Sequence, residues 1–117
     1  MTNEIRRCHD IILIDDDEIV RRLWKYQADR TGLNFSSFAS IDEFLNSEHQ
    51  IHLESFIFVD SNLGEGIKGE VESRKIADKG FQNIYLATGY QENDLKIPGW
   101  IKGVFGKEPQ FDQILPQ

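Results

Sequence analysis

The sequence predicts an α/β protein: a three-layer sandwich in which helices cover both faces of a five-stranded parallel sheet. Three observations predict it. Short apolar runs rich in β-formers recur at Asp10–Ile14, Leu33–Phe38, Phe56–Val59, Ile84–Ala87 and Ile101–Phe105. The intervals between most of them carry helical signals, and strands alternating with helices require crossover connections, hence parallel pairing. The length of 117 residues suits one domain over 1–117, large enough to bury a core.

Each element has its own warrant. After the first run, Val20, Trp24 and Ala28, together with Ile19, Leu23 and Gln27, recur every four residues and give a helix one mostly apolar side; Gly32 stops it. Trp24 is thereby read as core. Ser40 with Glu43 forms a capping box for a second helix that turns Ile41, Phe44 and Leu45 inward. A third helix over 69–79 presents Val71, Ile76 and Ala77 to the sheet and ends at Gly80. Two later helices are short. Pro98 limits the interval 91–99 to about two turns, and Pro109 opens a last helix that runs to Leu115.

Composition excludes several classes. Thirteen Lys and Arg against twenty Asp and Glu give a net charge of −7, which repels a phosphate backbone, so no direct nucleic-acid partner is expected. The longest apolar runs span four residues, Ile11–Ile14 and Phe56–Val59, against the roughly 20 that a membrane helix needs. The start, MTNEIRRCHD, lacks the apolar stretch of a secretory signal, and Cys8 is the sole cysteine, which fits a reducing cytoplasm.

The chemistry collects where strands end. IILI runs into Asp15, Asp16 and Asp17; FIFV into Asp60; YLA into Thr88; VFG into Lys107. In a parallel doubly wound sheet these carboxyl ends share one edge, where such folds place their sites. Clustered carboxylates repel and raise one another's pKa unless a cation joins them, and a hard divalent ion, Mg²⁺, is the natural partner. One lysine and one hydroxyl beside them suit a phosphoryl group carried on a carboxylate.

The series IILIDDDE, FIFVD, LATGY and GVFGK resembles the receiver domains of bacterial response regulators over nearly the whole chain, with Asp16 and Asp60 spaced as in that family. The resemblance implies a flavodoxin-like fold with strand order 2-1-3-4-5. It further implies a cytoplasmic, non-enzymatic phosphoacceptor of a two-component system. Asp60 would take a phosphoryl group from a histidine kinase or a histidine phosphotransfer protein, and a downstream protein would read the resulting switch. Asp15 and Asp16 match the acidic pair that holds Mg²⁺, and Asn62 matches the position whose backbone carbonyl completes the metal shell. Thr88 matches the switch hydroxyl, Lys107 the phosphoryl-binding lysine, and Tyr90 the side chain that overhangs the phosphoryl group. The chain departs from the family pattern at Gly64, where a proline is usual, and at Glu108, where proline usually follows the lysine. It departs again at Val104, where an aromatic is common; Phe105 is the neighbouring candidate for that role.

Two other patterns compete. Gly64, Gly66 and Gly69 spell G-x-G-x-x-G between a strand and a helix, but Glu65, Glu70 and Glu72 occupy the place a pyrophosphate would need, so the glycines are read as turn formers. Asp15-x-Asp17 resembles the start of a haloacid-dehalogenase-type phosphatase with Asp15 as nucleophile, although Ile19 breaks that motif. His9, His49 and His52 have no ligand partner at metal spacing and are read as surface residues. Between Lys107 and Glu108 a trans peptide is expected, because Gly106 supplies backbone freedom just before the lysine.

Overall fold

The structure, a computed structural model, describes residues 10–89, 97–109 and 111. In chain order it contains β1 (Asp10–Ile14), α1 (Glu18–Thr31), β2 (Asn34–Phe38) and α2 (Ile41–Asn46), followed by a 3-10 turn at Glu48–Gln50. Then come β3 (Phe56–Val59), α3 (Gly69–Glu72), α4 (Arg74–Ala77), β4 (Ile84–Ala87) and β5 (Gly103–Phe105). The strands lie in the order β2-β1-β3-β4-β5, and every neighbouring pair is parallel. Fold and strand order are therefore those the sequence predicts; β2 and β5 merely begin later, at Asn34 and Gly103.

Register aligns the strand ends. Ile14, Val59, Leu86 and Val104 stand side by side across the four strands β1, β3, β4 and β5. The ladder continues one step past them through Asp60 N–H to the Ile14 carbonyl and Thr88 N–H to the Phe105 carbonyl, both 2.9 Å. Asp15, Asp60 and Thr88 thus leave the sheet along one edge with fixed backbones.

The sheet separates two cores. Ile12, Ile14, Ile57, Val59, Ile84 and Leu86 meet Ile41, Phe44, Ile76 and Phe81 on one face. Ile11, Leu13, Phe58 and Ala87 meet Trp24, Ala28 and Phe111 on the other. Burying side chains of this size contributes roughly 1.5–3 kcal/mol each. Trp24 anchors the second core, its ring centroid 5.2 Å from Phe58 and 5.7 Å from Phe111.

Helix ends follow sequence chemistry. The Asp17 carboxylate caps α1 by accepting from Ile19 N–H at 2.9 Å, and Gly32, at φ +74°, closes it in a left-handed conformation that a side chain would resist. At α2, Ser40 Oγ accepts from Glu43 N–H while the Glu43 carboxylate accepts from Ala39 N–H. Two expectations need correction. On α1 only the Val20, Trp24, Ala28 row turns inward, leaving Ile19 and Leu23 exposed. The third helix is interrupted at Ser73, and Val71 faces solvent at 55% exposure. Ile76 and Ala77 do face the core as expected, but the rest of that face is Gly69 and Ser73 rather than Val71, and the polar Ser73 is satisfied by accepting from Trp100 Nε1 at 2.9 Å.

The Lys107–Glu108 peptide is trans, and His49 and His52 are exposed, as expected. Cys8, His9, Tyr90 and the expected helical stretch around 91–96 lie outside the described residues, and of the last helix only Pro109 and Phe111 lie within them. Among the described residues no helix is long and apolar enough to cross a membrane.

Candidate functional site

Asp15, Asp16 and Asp60 converge where β1 and β3 end, with one carboxylate oxygen from each lying within 4.8 Å of the others. Asp15 is fully buried, Asp60 nearly so at 5% exposure, and Asp16 is open to solvent. Lys107, just past β5, reaches across and places Nζ 2.6 Å from Asp15 Oδ2 and 3.0 Å from Asp60 Oδ2. Three carboxylates facing one ammonium leave two negative charges uncompensated. Burial pushes the Asp60 carboxyl above its ordinary range and the Asp15 charge adds to this, while the Lys107 hydrogen bond and charge and the Asn62 N–H pull the other way without prevailing. Burial opposes the charged form of Lys107, yet its hydrogen bonds to Asp15 and Asp60 and their charges carry its pKa above the ordinary lysine value.

Surrounding backbone holds this cluster in shape. The Asp15 carboxylate accepts from Asp17 N–H at 2.9 Å, and the Asp15 carbonyl accepts from Arg21 Nη1 at 2.7 Å. Beyond Asp60 the chain turns through Gly64, Glu65 and Gly66, all at positive φ. Gly64 passes so close to Asp16 that an added Cβ would sit 3.1 Å from Oδ2, and at Gly69 an added Cβ would lie 1.8 Å from the Asp60 carbonyl oxygen. Gly64 and Gly69 stand where backbone passes close to the acids and Gly66 where the turn needs its φ of +80°, in keeping with their reading as turn formers rather than as a dinucleotide site. Asn62 is exposed and pairs with Lys68 in an isolated antiparallel bridge. That bridge uses Leu63 N–H to the Ile67 carbonyl and Gly69 N–H to the Ser61 carbonyl, not the Asn62 carbonyl.

Thr88 is buried at the end of β4, and its hydroxyl lies 2.6 Å from that of Ser61, the residue after Asp60. Sequence reasoning missed Ser61. It missed Trp24 as well, whose indole N–H donates to the Lys107 carbonyl at 2.8 Å. A signal existed for the latter, since a buried tryptophan N–H usually finds an acceptor. Phe105 does not stand in for the aromatic missing at Val104: it packs edge-on to Phe58 and Tyr85, whereas Val104 packs on the opposite face of the sheet.

The donor set is all oxygen, hard and doubly negative, and the pKa of the Asp60 carboxyl is raised by burial first and by the Asp15 charge second. It fits a divalent cation such as Mg²⁺.

With this geometry the chain is comparable to solved structures. It superimposes on a CheY-like response regulator receiver domain protein from Methanospirillum hungatei JF-1 with a TM-score of 0.67 at 21% identity, covering 90% of this chain and 86% of that one. The response regulator StyR gives a TM-score of 0.67 at 13% identity over 90% of this chain, which spans 54% of StyR's length. The chain has the receiver-domain fold. No protein-family model matches the sequence, and no curated protein matches it.

Proposed function

We propose that this receiver-like chain is a phosphoacceptor of two-component signalling, with Asp60 as the residue that is phosphorylated. One observation carries the reading: Asp60, buried at the end of a central strand, shares Lys107 with Asp15 and clusters with the Asp15 and Asp16 carboxylates at the edge where this fold places its sites. The donor would be the phosphohistidine of a histidine kinase or a histidine phosphotransfer protein in the cytoplasm, or a small acyl phosphate.

An Asp60 oxygen attacks the phosphorus, an O–P bond forms as the P–N bond breaks, and the electron pair stays on the departing imidazole nitrogen, which takes up a proton. Lys107 meets the developing charge on the phosphoryl oxygens while it keeps Asp15 paired. Asp15, Asp16, Asp60 and the Asn62 carbonyl would hold Mg²⁺, which when bound neutralises the crowded carboxylates and the incoming oxygens. Thr88 presents its hydroxyl from the neighbouring strand end, so that a phosphoryl group on Asp60 shifts a local equilibrium that a downstream protein reads. Tyr90 is assigned the overhanging role.

The competing phosphatase reading is weakened by the site's own hydrogen bonds. Asp17, which that motif needs as its second catalytic acid, spends its carboxylate capping α1, and Asp15 is sealed beneath Lys107. The chain is accordingly expected to act stoichiometrically, not as an enzyme on external substrates. Incubation with acetyl phosphate and Mg²⁺ followed by mass spectrometry should show one added phosphoryl group, mapped to Asp60, that chelation abolishes. An Asp60→Asn variant phosphorylated to the same extent would sink the assignment, and steady turnover of an aryl phosphate would favour the phosphatase.

A further inference from the structure

Two side chains of α1, three residues apart on one face, each grip the main chain of one member of the Asp15–Lys107 ion pair. Arg21 Nη1 donates to the Asp15 carbonyl at 2.7 Å, and Trp24 Nε1 donates to the Lys107 carbonyl at 2.8 Å. Asp15 Oδ2 and Lys107 Nζ meet 2.6 Å apart, which closes a ring that runs from the helix through both site residues and back to the helix. We propose that α1 is a clamp for the Asp15–Lys107 pair, with Trp24 and Arg21 as positioning residues for phosphoryl binding; the proposal rests on the phosphoacceptor reading above.

Lys107 sits beyond the last strand on a segment whose neighbours Gly106 and Glu108 are exposed, so the sheet ladder that fixes Asp15, Asp60 and Thr88 does not reach it. A flexible four-carbon side chain on a loosely held backbone would spread its ammonium over several positions. The Trp24 ring, by contrast, is 1% exposed and wedged between Phe58 and Phe111, so its N–H points from a rigid body. Tying the Lys107 carbonyl to that rigid donor fixes the base of the side chain, and the two carboxylates then fix its tip. Arg21 performs the corresponding service for the loop at Asp15, just past the point where Asp15 N–H makes its bond to the Phe38 carbonyl. Held from both sides, the ammonium is preorganised where charge would develop on a phosphoryl group.

The separation of roles supplies the test. Trp24 acts on Lys107, which is not among the residues assigned to metal, whereas Arg21 acts on Asp15, which is. Affinity for Mg²⁺ alone, and for beryllofluoride in the presence of saturating Mg²⁺, is measured by calorimetry on the parent, Trp24→Phe and Arg21→Met. Trp24→Phe keeps a ring in the core but loses the N–H; it is expected to weaken beryllofluoride binding about three- to tenfold, the worth of one net hydrogen bond, with Mg²⁺ affinity unchanged. Arg21→Met, at the half-exposed end of the clamp and therefore safe for folding, is expected to weaken both. In a Lys107→Ala background, Trp24→Phe should change beryllofluoride binding no further.

Equal losses of Mg²⁺ and beryllofluoride affinity in Trp24→Phe would mean general loosening and overturn the clamp, as would parental beryllofluoride binding in both variants. A parent chain that binds no beryllofluoride at all would overturn the phosphoacceptor reading itself.

Discussion

At the scale of single residues, the site is a balance between burial, which disfavours charge, and one lysine shared by two carboxylates. Asp60 is the member whose pKa rises, first through burial and then through the Asp15 charge. For an acid raised in the folded state, the protonated form favours folding. This contribution is fully present below the unfolded value of 3.8 and is lost as pH rises through the higher folded value. Without metal, Asp60→Asn should therefore be more stable than the parent at neutral pH, and its advantage should shrink as pH falls through that window. Urea unfolding of both proteins in chelator across pH 3 to 8 reads this directly. A constant difference throughout would show that Asp60 carries no burden. Asp60, Asp15 and Lys107 were legible in the sequence because each follows an apolar run whose strand end can be located by composition alone. Ser61 and the acceptor for the Trp24 N–H were not, because the partners Thr88 and Lys107 are brought to them only by the finished sheet and leave no local periodicity.

At the scale of elements, the segment after β3 shows where pattern reading fails. Apolar residues at 71, 76 and 77 imply one continuous helix with Val71 inward; Ile76 and Ala77 do pack on the core, yet the first turn meets the sheet through Gly69 and Ser73, neither of which carries a hydrophobic signal. Gly69 is small because the Asp60 carbonyl lies against its Cα, and Ser73 is polar because the Trp100 indole needs an acceptor. The phase of that first turn is set by the site it adjoins, and only the second turn follows apolar spacing. Gly69→Ala should accordingly destabilise by about 1–3 kcal/mol or more through overpacking. Because the clash is with the backbone of Asp60, the same variant should also slow phosphorylation by acetyl phosphate. Loss of stability with an unaltered phosphorylation rate would show that the loop yields without moving Asp60. The α2 capping box, in contrast, was fully legible, since all of its chemistry lies within five residues. Ser40→Ala should cost about 1 kcal/mol in chemical denaturation and leave phosphorylation untouched.

At the scale of the whole molecule, a chain with net charge −7 concentrates three of its carboxylates at one edge of the sheet, two of them buried. Self-repulsion of this kind opposes the compact state, and a cation that binds only the folded arrangement relieves it. At 100 times its dissociation constant such a ligand adds about 2.7 kcal/mol, which for a chain of this length corresponds to a rise in Tm of about 10 °C. Ionic screening must be separated from site binding, and an equal ionic strength of sodium chloride, which compresses the charge field without seeking an oxygen cage, does so. Asp16 is the informative position because it is exposed: its carboxylate supports no core contact, so Asp16→Asn removes charge without disturbing packing. That variant should melt higher than the parent in chelator, because one repelling charge is gone, and should lose most of the Mg²⁺-dependent rise, because one ligand is gone. The opposite signs of the two effects in a single variant distinguish a metal-binding acidic cluster from general surface charge, which would give the first without the second. An undiminished Mg²⁺ response in Asp16→Asn would place the ion elsewhere.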